Sequence, residues 1–242
     1  MDAPRWLLAA ALALASCGPP SAEAREAEAE PLGVVLRVTA GADARSELPL
    51  VVLLHGRGDT PERFAETLDG IDVPVRVASL RAPIEEHDGR AWFTFHRGPD
   101  VWQRVGADVA REAERAVRTM GAIARAHPTR GLPVVVGFSQ GAMLVYTIAL
   151  DHPEAVALAV PVSGGLVEES LAAPPRPASQ APRIVALHGR ADPVIPIEAH
   201  RRTVATLRAR GVRIELREHA SPHWIDAEMR ADLHAVIREA VR

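Results

Sequence analysis

Apolar residues recur along this chain in two alternating rhythms. The runs VVLRV (34–38), LPLVVLLH (48–55), VRVASL (75–80), PVVVGF (133–138), ALAVPV (157–162), RIVALH (183–188) and VRIELRE (212–218) have the length and β-branched content of strands. Several are apolar throughout, as strands covered on both faces are. Between them, hydrophobic positions return at helical spacing. Over 104–124, Val105, Val109, Ala113, Val117, Met120 and Ile123 form one stripe, with arginines and acids opposite. The stretches 141–150, 197–210 and 224–241 predict further helices, the first stopping at Asp151-His152-Pro153. Strands alternating with helices predict an α/β fold, a mostly parallel central sheet covered by helices on both faces. In such a sheet chemistry collects at the carboxyl ends of the strands. No segment repeats at a fixed period, which excludes solenoids and propellers.

Three stretches break the alternation. MDAPRWLLAAALALASCGPP places Arg5 before an apolar run from Trp6 to Ala15 and then small residues, the layout of a secretory signal peptide and too short to span a bilayer. Leu14-Ala15-Ser16-Cys17 resembles the lipobox of bacterial lipoproteins, which implies removal of residues 1–16 and lipidation of Cys17 as the membrane attachment of an exported protein. An ordinary signal peptide with a chance cysteine, or a short apolar helix, is the plainer alternative. GPPSAEAREAEAEP follows without a large apolar residue, so 17–31 reads as a solvated tether and 32–242 as the folded domain. LAAPPRPASQAPR (171–183) reads as a Pro-rich surface loop.

Composition narrows the chemistry. A length of 242 residues suits one α/β domain, and 48% hydrophobic with 24% charged residues is the balance of a globular chain. A net charge of −3 without a basic cluster leaves no footprint for nucleic acid. All basic residues are arginine, which removes lysine bases and Schiff-base lysines. The single cysteine, Cys17, rules out an internal disulfide and a cysteine metal cluster.

Gly137-Phe138-Ser139-Gln140-Gly141 lies between a predicted strand and a predicted helix, the context of a G-x-S-x-G nucleophile elbow. A sharp strand-to-helix turn strains the serine and exposes its hydroxyl, and glycines two residues either side avoid a collision. A structural turn is the bland alternative. A serine hydroxyl attacks only when a base takes its proton, so a carboxylate and a histidine are expected downstream, in that order. Asp192 follows the strand of RIVALHGRADPVIP, with an N-cap or a turn aspartate as its ordinary role. For the base, REHASPHWIDAEM offers His219 and His223, and His223, just before the last helix, is the better placed. His55 and His188 read as loop-holding residues, His152 and His234 as helix-end or surface residues, and Ser163-Gly164-Gly165 as a strand-end turn. An oxyanion needs donors. The backbone N–H of Gln140 supplies one, and that of Arg57, between Gly56 and Gly58, the other.

Together these segments resemble the carboxylesterase and phospholipase family of α/β-hydrolases, which includes the acyl-protein thioesterases. LLHGRGDT resembles its oxyanion loop, GFSQGA its elbow, HGRADPVIP its acid loop and His223 its terminal histidine, over a span from about Pro49 to the C terminus. Arg90-Ala91-Trp92-Phe93 resembles the family's WF segment near the acyl site, which implies substrate contact by Trp92 and Phe93. The resemblance implies the α/β-hydrolase fold and hydrolysis of small-molecule carboxylic esters or thioesters through an acyl-enzyme on Ser139, without metal or organic cofactor. A peptidase, a feruloyl-type esterase or a polyester depolymerase would show the same triad, and a non-catalytic binding lipoprotein is a further alternative. The stretch 85–102 mixes Gly, Pro and aromatics as a small lid does, and Arg57 and Arg190 near the mouth would favour anionic substrates.

Overall fold

Each of the seven apolar runs becomes a strand of one sheet. The structure is a computed structural model describing residues 30–95, 101–166 and 182–242. The strands are β1 (Val34–Val38), β2 (Leu50–Leu54), β3 (Arg76–Leu80), β6 (Val134–Phe138), β7 (Leu158–Val162), β8 (Arg183–Gly189) and β9 (Ile214–His219), in the order β1-β3-β2-β6-β7-β8-β9. β1 runs antiparallel to β3, and every other pairing is parallel. A separate hairpin joins β4 (Ile84–Glu86) to β5 (Gly89–Ala91). Helices α1 (Pro61–Ala65), α2 (Val101–Ala126), α3 (Gln140–Asp151), α4 (Ile197–Ala209) and α5 (Ala227–Val241), with short 3-10 turns at Glu66–Leu68 and Pro153–Ala155, complete the described elements, and residues 31–242 form one compact unit.

The period of two in a strand decides which layer each residue joins. Leu50, Val52 and Leu54 of β2 pack with Val109 and Ala113 of α2, Leu144 and Ile148 of α3 and Leu207 of α4. Their neighbours Val51 and Leu53 face the other way, against Phe64 of α1 and Leu233 and Ile237 of α5. Both faces are therefore covered, which is why β2, β3 and β7 are buried at every position. Each fully buried Val, Leu or Ile contributes about 1.5–3 kcal/mol of transfer free energy.

Several boundaries differ from expectation for local reasons. The last helix starts at Ala227 rather than 224, because Asp226 caps it and accepts from the Met229 N–H at 2.8 Å. α1 was not legible in the pattern: five residues are too few to show a period, although Thr60 caps it and Pro61 occupies its first turn. The lid expected over 85–102 contains the β4–β5 hairpin and the start of α2. Residues 96–100, the loop residues 171–181 and residues 1–29, on which the expected leader, Cys17 and most of the expected tether fall, lie outside the described residues.

Topology prepares the site. From β2 the chain crosses to β3 on one side and then to β6 on the other. The carboxyl ends of β2 and β6 thus flank the switch point at which open α/β sheets bind ligands.

Candidate active site

Ser139 stands between β6 and α3 at φ 51°, ψ −112°. A non-glycine residue held there costs on the order of 1–3 kcal/mol and persists only where its surroundings impose it. Its N–H donates to Val162 O at 3.0 Å, and its carbonyl accepts from Ala142 and Met143 as α3 begins. The flanking glycines are sterically required. A Cβ on Gly137 would lie 2.4 Å from Gly141 O, and one on Gly141 would lie 1.9 Å from Leu54 O.

Asp192 and His223 come together through a second close approach. Gly189 at the end of β8 has Ser221 O where a Cβ would stand, 2.0 Å away. Arg190 N–H donates to His219 O at 2.7 Å and Ala191 N–H to Ser221 O at 3.3 Å, so the loop carrying Asp192 is joined to the one carrying His223. His223 Nδ1 meets Asp192 Oδ2 at 2.7 Å, and its Nε2 meets Ser139 Oγ at 3.0 Å. With Nδ1–H donating to the carboxylate, Nε2 is free to accept the serine proton.

Asp192 makes the contacts that both readings of it call for. Oδ1 accepts from Val194 and Ile195 N–H, each at 2.8 Å, as a turn aspartate does, leaving Oδ2 to the imidazole. Burial pushes its pKa up. The hydrogen bonds from His223, Ile195 and Val194 outweigh burial and hold the carboxyl below its ordinary value. His219 turns away, with Nε2 3.2 Å from Asp232 Oδ2.

The other histidines have structural settings. His55 Nδ1–H donates to Gly56 O at 2.7 Å, and its Nε2 accepts from Ala82 N–H at 3.3 Å. His188 Nε2–H donates to Ile195 O at 2.8 Å, holding the acid loop. Its ring lies 4.3 Å from that of His200, which donates from Nδ1 to Gly164 O at 2.7 Å and accepts at Nε2 from Tyr146 OH at 3.0 Å. Burial, followed by the neighbouring His188, lowers the His200 pKa to about 4. Burial likewise lowers those of His55 and His188. His234 is buried on α5 and donates to Thr67 O at 2.8 Å, contrary to the surface position expected, because it falls on the inward stripe of that helix. Ser163 closes β7 in a buried turn at φ 46°.

Gln140 N–H opens α3, where a helix has no carbonyl of its own to offer. Among the described residues neither it nor Arg57 N–H has an acceptor. Both residues line a cleft of about 480 Å³ with Ser139, His223 and the apolar side chains of Phe95, Met143, Leu166, Val194 and Ile195. Trp92 and Phe93, expected to touch substrate, are 0% and 1% exposed and absent from this lining. Their apolar rings complete the core, and Phe95 stands at the cleft instead, in edge contact with Phe93 at 5.4 Å. Phe95, Val194 and Ile195 lie within or beside the motifs read from sequence. Met143 directly follows the elbow motif, and nothing in the pattern pointed to Leu166, Tyr146 or His200. Arg57 lines the cleft, but its guanidinium is bound to Glu86, and Arg190 donates to Glu218 O at 3.2 Å. The charge of Arg57 is thus paired with a carboxylate, whereas Arg190 is held by a neutral backbone carbonyl.

The sequence profile of the phospholipase/carboxylesterase family matches residues 36–240. The chain belongs to this family. NocK of Nocardia uniformis subsp. tsuyamanensis, named as an esterase, is 29% identical over 164 residues, covering 67% of this chain and 46% of that protein. The chain thus spans about half the length of this curated relative (46%). The carboxylesterase of Bacillus cereus superposes with a TM-score of 0.71 and 15% identity, covering 86% of this chain and 94% of that one. Acyl-protein thioesterase 2 of Zea mays gives a TM-score of 0.65 and 20% identity, covering 87% and 99%. At such identities the likeness is one of fold, and the fold is that of the α/β-hydrolases, as the sequence led us to expect.

Proposed function

We propose that the protein is a serine carboxylesterase that cleaves small carboxylic esters or thioesters through an acyl-enzyme on Ser139. The observation that carries this reading is the continuous path Ser139 Oγ to His223 to Asp192, at 3.0 and 2.7 Å, opening onto a largely apolar cleft. His223 accepts the hydroxyl proton as Oγ attacks the acyl carbonyl, and Asp192 holds the tautomer and stabilises the imidazolium. The backbone N–H groups of Gln140 and Arg57 stabilise the oxyanion. His223 then returns its proton to the leaving alcohol or thiol, and water, activated by the same imidazole, releases the acid.

Hydrolysis of p-nitrophenyl acetate, butyrate and octanoate tests this. Ser139→Ala is expected to lower kcat by at least about 10⁴-fold. Turnover preserved in that variant contradicts the reading. The leader supports a further proposal, that Cys17 is lipidated and tethers the enzyme to a membrane after export. Cys17→Ser is then expected to shift the protein from the membrane to the soluble fraction, and an unchanged distribution opposes the tether.

A further inference from the structure

We infer that one segment, residues 86–93, braces both backbone donors of the oxyanion site, and that the side chain of Gln140 is the positioning residue that couples them. The inference rests on the proposed acyl transfer at Ser139. Its starting point is a mismatch of environment and chemistry: Gln140 is 2% exposed, and its amide points away from the cleft into the core. Oε1 accepts from Trp92 N–H at 3.0 Å and Nε2 donates to Phe93 O at 2.9 Å. The two backbone partners fix the orientation of the amide, since one can only donate and the other only accept. Two bonds to adjacent residues leave the side chain little freedom to turn.

The same segment grips the other donor. Gly58 N–H donates to Arg90 O at 2.8 Å, and Arg90 N–H donates to Asp59 O at 2.9 Å, a small antiparallel bridge between the oxyanion loop and β5. Gly89 lies so close that a Cβ there would stand 2.0 Å from Gly58 O. Trp92 Nε1–H donates to His55 O at 2.8 Å. Arg57 itself donates through Nε to both carboxylate oxygens of Glu86, at 2.9 and 2.8 Å. Thus residues 86–93 hold His55, Arg57, Gly58 and Asp59 on one side and Gln140 on the other.

This arrangement answers a need of the chemistry. The two N–H donors sit on different elements, the loop after β2 and the first residue of α3, yet must converge on one oxygen at 2.7–3.1 Å. A misplacement of about 1 Å costs on the order of 100-fold in rate. The Arg57–Glu86 pair is solvent-exposed and contributes little by itself. The buried amide of Gln140 is the stronger link, because losing it strands Trp92 N–H and Phe93 O in the core. It also explains why Trp92 and Phe93 are buried: their backbone is the anchor and their rings secure it.

Gln140→Met keeps the length and removes both bonds. With p-nitrophenyl butyrate we expect kcat to fall about 10–100-fold with KM within twofold, since the brace acts on the oxyanion and not on the ground-state ester. The inhibition constant of an alkylboronic acid, whose adduct with Ser139 places an oxygen at the same two donors, is expected to rise by the same factor. A purely structural role would lower the melting temperature without linking kcat to boronate affinity. Should Gln140→Met not fold, Gln140→Asn, which keeps the amide but is one methylene too short to meet both Trp92 N–H and Phe93 O, carries the same test. A folded variant with wild-type kcat and wild-type boronate affinity overturns the brace. Wild type and Ser139→Ala are assayed alongside. If wild type turns over the ester and Ser139→Ala does not, the acyl-enzyme reading stands whatever Gln140 does. If wild type fails to react, that reading falls first and this inference with it.

Discussion

Ser139 carries the strain of the site and His223 its directionality. Sequence spacing located the serine because the elbow needs glycines on both sides, a demand that any correct reading of GFSQG exposes. The choice between His219 and His223 was harder, since the two stand four residues apart, one ending β9 and the other in the loop after it, and spacing does not say which way a side chain turns. The structure separates them through partners, Asp232 for His219, Asp192 and Ser139 for His223. His223→Ala is accordingly expected to reduce kcat by at least about 10³-fold. His219→Ala should retain kcat per folded molecule within a few-fold. Steady-state assays of the two purified variants check this, and a reversed order contradicts the assignment of the base.

Close backbone approaches at element junctions hold the elbow in place. A Cβ on Gly141 would meet the backbone of β2, which cannot give way without opening the sheet beside the site. Gly141→Ala is therefore expected to destabilise by about 3 kcal/mol or more, or to prevent folding. Gly165→Ala, with nothing among the described residues within 4 Å of the added methyl, should stay within about 0.5 kcal/mol. Urea unfolding of both measures the contrast, and equal stabilities would mean that the junction yields. At this scale the long periodic elements were legible, their ends lying within about three residues of expectation. The hairpin at 84–91 was not. Three-residue strands carry no period, and what holds this hairpin is a bridge to a loop some thirty residues earlier. Trp92 and Phe93 read as substrate contacts through the likeness of their segment to the family's WF segment, and such a likeness does not say whether an aromatic ring faces the cleft or the core.

Across the whole molecule the buried imidazoles set the response to pH. His200 keeps a folded pKa of about 4 against 6.5 for the free side chain, so between those values the unfolded chain binds a proton that the folded one refuses. Stability is thus complete above about 6.5 and declines as pH falls toward 4, by on the order of 3 kcal/mol from this residue at 1.36 kcal/mol per unit. His55 and His188 act in the same direction. Asp192 adds a separate loss at lower pH: with its folded pKa depressed, its contribution is present above about 3.8 and disappears as pH falls through the folded value. Urea midpoints from pH 7 to 4 should fall for wild type and fall less steeply for His200→Gln. Parallel slopes would show that His200 is protonated in the folded state. No sequence pattern marks such a residue, because its neutrality comes from packing between Tyr146, His188 and the loop at Gly164, brought together from distant parts of the chain.

The most direct test of the account is chemical. The folded protein is treated with a fluorophosphonate, digested and examined by mass spectrometry, with Ser139→Ala in parallel. One adduct on the peptide containing Ser139, blocked by prior incubation with a slowly hydrolysed ester and missing from the variant, is the predicted result. An unmodified Ser139 in folded protein, or equal labelling of the variant, would contradict the proposal that this serine is the nucleophile.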